Sequence, residues 1–463
     1  MNKGKIFPVG LVSIASTIRK RFAQHQVEIV DINFESNLFL TILARKYDLI
    51  GISCMTIEYE KATVLAKQIK DHSNIPIILG GVHISTLPVS LRECFDIGVL
   101  GEGEETFCRI VDLYEKKHGF FPSDLKDIEG IVYRVEDRVY QNHPAELIEP
   151  LDSISELDYS LINQRYFRSQ PLISWGECGR QASILTSRGC PYKCIFCSTT
   201  QFWHKIRYFS IERIITEIKN LVENYKVDRI LIYDDLFTLN KNRLVNFARV
   251  FRKESLHKKV KFACLARTDL VDDEICEILK SINVKLVYFG FESGNEKILR
   301  YLKGGSVGVE QNKRAIDICI KHDLEVIGSL IFASPTETLE DMKDSIKFID
   351  YSKKAGASRI WSCIMTPFPG TKIWEIAKER GKVKDEMNFN ILSQQAVDNP
   401  LLLDDTIDKK VFKQLFFHAR EHLHYYKWGR LLSMLKNSPF RTIKFILCEP
   451  WKYLKKGLIA SEE

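Results

Sequence analysis

From the start of the chain to about residue 115, short apolar runs ending in glycine alternate with segments whose apolar residues return every three or four positions. The runs VEIVDI, DLIGISC, IPIILGG and DIGVLGEGE read as strands, and the stretch from Gly10 to Phe22 reads as an amphipathic helix. Strands spaced by helices predict a parallel sheet with crossover connections, and such sheets take ligands outside the carboxyl ends of their strands. The loops at those ends hold Ser53 to Thr56, Gly80-Gly81-Val82-His83 and Gly101-Glu102-Gly103-Glu104. Taken singly these are weak signals, because a Gly-Gly after a strand is usually a tight turn and a lone histidine is usually structural.

The alternation breaks at LKDIEGIVYRVEDRVYQN, which reads as a small β-hairpin, and again around Pro150 to Ser160, which reads as a connector. From residue 183 it returns with SILTS, RILIYDD, KFACLAR, VKLVYFGFES, EVIGSLIF and RIWSCIM as strands, separated by helical intervals such as SIERIITEIKNLVENYK. Six such units suffice for a partial (β/α)6 barrel with its chemistry at the carboxyl ends of the strands. The predicted organisation of this α/β chain is a Rossmann-like domain over 1–140, a linker over 141–180, the partial barrel over 181–390 and a helical basic region over 391–463.

A chain of 463 residues exceeds one hydrophobic core, which agrees with several domains. Its twelve cysteines are scattered in a long chain rather than crowded into a short one, so a reduced, cytoplasmic setting is expected. The opening MNKGKIFPVGLVSIASTIRKRF mimics a secretion signal but runs into Arg19, Lys20 and Arg21, so it belongs to the fold, and no stretch has the apolar length of a membrane span. The formal charge is +7, yet twelve Lys or Arg lie between Lys409 and Lys456 against Glu421 and Glu449 alone. The rest of the chain is therefore slightly acidic, which argues against nucleic acid as a partner of the body. The basic-aromatic tail reads either as helices resting on an anionic membrane, placing the protein at the inner membrane surface, or as a cover for the barrel mouth.

The strongest chemical signal is CPYKCIFC, with Cys190, Cys194 and Cys197 after the first barrel strand. Three thiolates on a 4Fe-4S cube leave one iron open for a substrate or cosubstrate. A noncatalytic zinc site is the alternative, but it takes four ligands, usually as two pairs, and the nearest additional candidates, Cys178 and His204, stand in no paired spacing. The C-x3-C-x2-C pattern, with Phe196 before the last cysteine, resembles the signature of the radical S-adenosylmethionine (SAM) enzymes. That resemblance implies that SAM chelates the open iron and is cleaved to a 5'-deoxyadenosyl radical, with electrons from a donor such as flavodoxin or ferredoxin.

Later strand ends carry further likeness to this family. Asp234 and Asp235 of YDDLFTLN stand where the family contacts the SAM amino group, and Arg267 and Glu292, the latter followed by Ser293, resemble the residues that meet the SAM carboxylate and ribose. An Arg–Glu ion pair across adjacent strand ends is the plainer reading of Arg267 and Glu292. GSLIFASPTET departs from the family's G-x-P-G-E turn, with Ala333 and Thr336 in place of glycines, while PFPGTKIW closes the sixth unit as in the cobalamin-binding subfamily.

The ordered set P-x-G-L, G-x-S, G-G-x-H and G-E-G-E resembles the cobalamin-binding domain that precedes the barrel in that subfamily. The resemblance implies cobalamin held by Ser53, Thr56, Gly80, Gly81, His83, Gly101, Glu102 and Gly103. The D-x-H-x-x-G motif is absent, so His83 is expected beside the cofactor and not on cobalt. Only MNKGKIF precedes P-x-G-L, where the family has another strand, so the sheet is expected to lack an edge or the chain to be shortened. The implied activity is a cobalamin-dependent methyl transfer to an unactivated carbon of a small or lipid-linked substrate; a cyclase or rearrangement enzyme is the alternative.

Overall fold

A computed structural model describes residues 7–35, 37–168, 179–203, 205–394, 399–404 and 407–420. The first sheet contains β1 (Ile50–Ser53), β2 (Ile77–Gly80), β3 (Ile97–Val99), β4 (Ile131–Val135) and β5 (Arg138–Gln141), in that spatial order. β1 to β3 run parallel and the β4–β5 hairpin extends β3 antiparallel. The predicted hairpin thus completes the sheet rather than standing alone. Helices Val9–Arg21 and Gly103–Lys117 pack closely, with a Cβ on Gly103 lying 2.8 Å from Ile14 Cδ1, so a larger residue there would have to displace the Ile14 side chain.

VEIVDI is not a strand in the structure, and β1 is an edge of its sheet. The segment's alternate residues go to two different cores: Val27 packs with Ile18, Phe22 and Cys108, whereas Ile29 packs against the barrel core. Asp31, at its end, accepts the Tyr166 hydroxyl. In a strand Val27 and Ile29 would share one face, so their packing into separate cores is incompatible with a flat strand and the segment does not pair with β1.

The second sheet contains β6 (Gln181–Ile184), β9 (Arg229–Ile232), β10 (Lys261–Ala266), β11 (Val284–Glu292), β12 (Glu325–Phe332) and β13 (Arg359–Ile364), all parallel and in that order. A two-stranded ribbon, β7 (Ser187–Arg188) with β8 (Arg207–Tyr208), follows β6. Period-two alternation divides the six strands. Ile232, Cys264, Phe289 and Phe332 face the helices in the main core, while Leu231, Ala263, Leu286, Ile327, Tyr288 and Trp361 form a separate cluster on the other face. The strand order ends at β6 and β13 without closing, which makes the barrel partial.

The expected linker is more than a connector. Tyr159, Ile162, Tyr166 and Phe167 are buried in the barrel core, and Phe7 from the N-terminus packs against three of these rings. A further apolar cluster joins the two sheets, with Tyr59, Ile84 and Phe95 from one side and Leu302, Ile373, Trp374 and Phe389 from the other. Residues 409–420 are helical and bury Phe412, Phe416 and Ala419, with Phe416 stacking edge-on to Phe332 at 5.6 Å. The remaining basic-aromatic tail from residue 421 lies outside the described residues, as do Cys178 and His204. No helix among the described residues is long and apolar enough to cross a membrane.

Candidate active site

Cys190, Cys194 and Cys197 lie half-buried on the loop that leaves the β7 strand. The loop is tied on three sides: Cys197 N–H donates to Cys194 O at 3.1 Å, Ile195 N–H to Leu302 O at 3.1 Å, and Ile373 N–H to Ile195 O at 3.2 Å. Ile195 and Phe196 pack against the cluster that joins the two sheets, so Phe196 anchors the loop from beneath. Burial pushes the Cys190 thiol up to about 11 and also raises Cys194, against which the cations Lys303 and Arg267 pull downward.

Those two cations define the wall of the site. Arg267 is 5% exposed; its Nη1 lies 4.0 Å from Cys194 Sγ, its guanidinium stacks 3.7 Å over the Tyr192 ring, its Nε donates to Asp269 at 2.7 Å, and it also donates to Ser306. Lys303, at the end of helix Glu296–Lys303, donates to Gly290 O at 2.5 Å and lies 3.4 Å from Glu292 Oε1. The plain reading of an Arg267–Glu292 pair is therefore replaced by two separate pairs, Arg267 with Asp269 and Glu292 with Lys303. Glu292 adopts φ +62° where β11 slips register against β12, which turns its side chain back over Gly290. Burial raises the Glu292 pKa while Lys303 and Arg267 oppose the shift.

Several residues singled out from the sequence are committed to internal bonds. Asp234 is 1% exposed and accepts four donors, the backbone N–H and hydroxyl of both Thr186 and Ser187, at 2.6, 2.5, 3.1 and 2.8 Å. It shapes the turn after β6, whereas Asp235, which accepts from Thr199 at 3.3 Å and from the Gly189 backbone N–H, faces the cysteine loop, where burial pushes its pKa up to about 6. Ser293 is fully buried against Ser345 and accepts the Asn295 N–H, so it supports the next helix. Lys303, Tyr192 and the arginines at 188 and 207 were missed; only Tyr192, inside the cysteine motif, carried a sequence signal.

In the first sheet, Ser53 is exposed at the end of β1, beside exposed Met55 and Ile57. Gly80 ends β2, and Gly81 adopts φ +93°, with a Cβ there predicted 2.7 Å from Cys54 O. His83 is fully buried, with Nδ1 3.3 Å from Thr56 Oγ1, Nε2 3.0 Å from Ser90 Oγ, and its ring stacked 3.9 Å from Tyr59. Burial brings its pKa down to about 3, so it stays neutral. His83 and Thr56 thus brace the loop from inside instead of facing its open side. Gly101, at φ +73°, has open space around it, whereas Glu102 turns inward to Arg188 and Arg207.

Residues 2–111 match the B12 binding domain and residues 184–349 match the Radical SAM superfamily. The chain is 32% identical over 379 residues to an uncharacterized methyltransferase of Pyrococcus horikoshii, spanning 80% of this chain and 78% of that protein. It is 25% identical over 358 residues to the anaerobic magnesium-protoporphyrin IX monomethyl ester cyclase of Cereibacter sphaeroides, spanning 76% of this chain and 56% of that protein. Among solved structures, the cobalamin-dependent S-adenosylmethionine radical enzyme OxsB with aqua-cobalamin and SAM bound superposes with a TM-score of 0.70 at 16% identity, covering 98% of this chain and 74% of OxsB. The chain belongs to the cobalamin-dependent radical SAM enzymes. Its cofactors are accordingly a 4Fe-4S cluster, SAM and cobalamin.

The residues present suit these groups. Cys190, Cys194 and Cys197 offer three half-buried thiols from one loop, the donor set of a 4Fe-4S cube with one iron left open. Two buried cations beside Cys194 would balance part of the negative charge that three thiolates bring. In the first sheet, Gly81 packs against the Cys54 backbone where no side chain fits, which holds the strand-end loops together, and the open space beside Gly101 leaves their edge accessible to a cofactor.

Proposed function

We propose that this enzyme methylates an unactivated carbon of a small or lipid-linked substrate, using Cys190, Cys194 and Cys197 as cluster ligands. The observation that carries the reading is the three-thiol loop walled by buried Arg267 and Lys303 at the carboxyl edge of a barrel sheet that follows a cobalamin-type sheet. The choice of methyl transfer over cyclisation is supported by the archaeal relative named as a methyltransferase, which matches over more of its length than the cyclase does. When bound, cluster and SAM supply a hydrogen-abstracting carbon radical and cobalamin supplies a transferable methyl group.

The chain's own residues perform the binding and the shielding. Arg267 and Lys303 supply the positive charge that would hold the SAM carboxylate, and Glu292, turned over Gly290, supplies the carboxylate that would accept the ribose hydroxyls. Asp235, with a pKa near 6, is the carboxylate of the Asp234–Asp235 pair left to receive the SAM amino group. Ser53, Gly80, Gly81, Gly101 and Gly103 form or support the loops at the first sheet's carboxyl edge. The face of the sheet bearing Tyr288 and Trp361, whose rings lie 5.6 Å apart, supplies apolar surface on the side of the sheet away from the main core. A small reduced flavodoxin or ferredoxin delivers the electron, and the basic tail gives peripheral membrane contact for a lipid-borne substrate.

Anaerobic purification with iron, sulfide and corrinoid analysis, followed by product mass spectrometry, tests the reading. A product one methyl heavier, with its label derived from methyl-labelled SAM, is expected. A product changed without added carbon would favour the cyclase or rearrangement reading, and absence of iron, corrinoid and turnover would remove the enzyme reading. Sedimentation with anionic liposomes at low and high salt tests the tail, comparing the full chain with one ending near residue 405.

A further inference from the structure

Four charged side chains are sealed between the two sheets. Arg188 Nη1 donates to Glu102 Oε1 at 2.8 Å and its Nη2 to Glu104 Oε1 at 2.6 Å. Arg207 donates to both Glu102 oxygens, at 2.8 and 3.0 Å, and to Ile148 O at 2.7 Å. Glu102 also accepts the Ile148 N–H at 2.8 Å, and Glu104 accepts the Ser13 hydroxyl at 2.6 Å. The four side chains are between 2% and 7% exposed.

Arg188 and Arg207 stand directly opposite each other in the β7–β8 ribbon. Like charges at facing positions of an antiparallel pair oppose pairing, so this ribbon is complete only with a carboxylate between them. Glu102, from the strand-end loop of the first sheet, is that carboxylate. A buried ion network of this kind is a poor source of net stability relative to apolar packing, and its best-attested use is to fix one arrangement over others.

The placement of the network states what it fixes. Arg188 is separated from Cys190 only by Gly189, which adopts φ +104° and whose Cβ position lies 2.5 Å from Lys205 O, leaving the backbone between arginine and cysteine no room to shift. On the other side, Glu102 lies between Gly101 and Gly103 at the carboxyl edge of β3. We propose that Arg188, gripped by Glu102 and Glu104, is a positioning residue that sets where the cysteine loop stands relative to the cobalamin-binding sheet, and so the separation of the two metal centres. Its role rests on the cobalamin and cluster reading above.

The test uses full-length protein reconstituted anaerobically with iron, sulfide and hydroxocobalamin. Pulsed EPR measures the coupling between cob(II)alamin and the reduced cluster in the wild type, R188K, E102Q and R213K. R188K keeps the charge but lacks the planar fork whose two ends reach Glu102 and Glu104, and E102Q is the milder change if R188K does not fold. R213K is a control, because Arg213 is a half-buried arginine that likewise donates to two acceptors, Ile154 O and Ser155 O, and has no bond to Glu102 or Glu104. A displaced or broadened distance distribution in R188K or E102Q, with iron and corrinoid contents retained and R213K unchanged, is expected. Wild-type distances in the folded Arg188 and Glu102 variants, or the same broadening in R213K, would overturn the inference. Wild-type protein that takes up neither iron nor corrinoid would instead overturn the family reading on which it rests.

Discussion

Replacing Lys303 with Met removes the partner of a carboxylate that has nowhere else to go. The ammonium and the Glu292 carboxylate are 6% and 9% exposed and 3.4 Å apart. The φ of +62° at Glu292 holds its side chain over Gly290, so it cannot swing into solvent. Removing one member of a buried pair costs about 3–5 kcal/mol, because the other charge is left uncompensated. The carboxyl can escape that cost by taking up a proton. Its folded pKa is already raised by burial, with Lys303 and Arg267 opposing, so loss of Lys303 raises it further. A carboxyl whose folded pKa exceeds its unfolded value is fully stabilising below the unfolded value and loses that contribution as pH rises through the folded one. The Lys303→Met deficit should therefore be smaller at an acidic pH and grow at a mildly alkaline one, as pH rises through the folded Glu292 value. Urea denaturation at both pH values, with Glu292→Gln alone and in combination, measures it. The double variant should recover most of the loss at the higher pH, and a deficit that is independent of pH, or that Glu292→Gln does not relieve, would refute the reasoning.

Glu337, 2% exposed and with its pKa pushed up to about 8 by burial, should make the wild type lose stability as pH rises towards that value, and Glu337→Gln should flatten the profile in thermal melts. Gly81→Ala should cost about 1–3 kcal/mol and reduce corrinoid uptake, since φ is +93° and the new Cβ would meet Cys54 O at 2.7 Å; unchanged melting and uptake would contradict this. Thr336, a β-branched residue at φ +70°, should be relieved by glycine, with Thr336→Gly raising stability by about 1 kcal/mol and Thr336→Val giving no such gain in denaturant titrations.

The sequence made strand ends legible because glycine, proline and charged residues punctuate the apolar runs, so the loops bearing Cys190, Asp235, Arg267 and Glu292 fell where the fold needs them. It also exposed the departure at Ala333 and Thr336, and both residues retain left-handed backbone, at φ +62° and +70°, with glycine gone. Side-chain direction was not legible, since it depends on what packs behind each loop. His83 and Asp234 look like ligands in one dimension, yet Ser90, Thr56, Thr186 and Ser187 engage them from within. Glu102 reads as part of a cofactor loop, but its partners lie 86 and 105 residues away. VEIVDI has the composition of a strand, and only the two cores on either side of it explain why it is not one. Lys303 carried no motif at all; its importance comes from the helix end that sets it over Gly290 and Glu292.

Cys190, Cys194 and Cys197 are proposed as the ligands of the cluster at which SAM is cleaved. The most direct measurement is iron content together with 5'-deoxyadenosine formation, under anaerobic reduction, for the wild type, Cys194→Ala and Cys264→Ala. Cys264 is a fully buried core thiol, and its replacement should cost packing on the order of 1 kcal/mol while leaving iron and SAM cleavage in place. Cys194→Ala should lose both, because two thiolates cannot hold the cube with one iron reserved for SAM. A Cys194→Ala protein that keeps its full iron and still cleaves SAM would contradict the account.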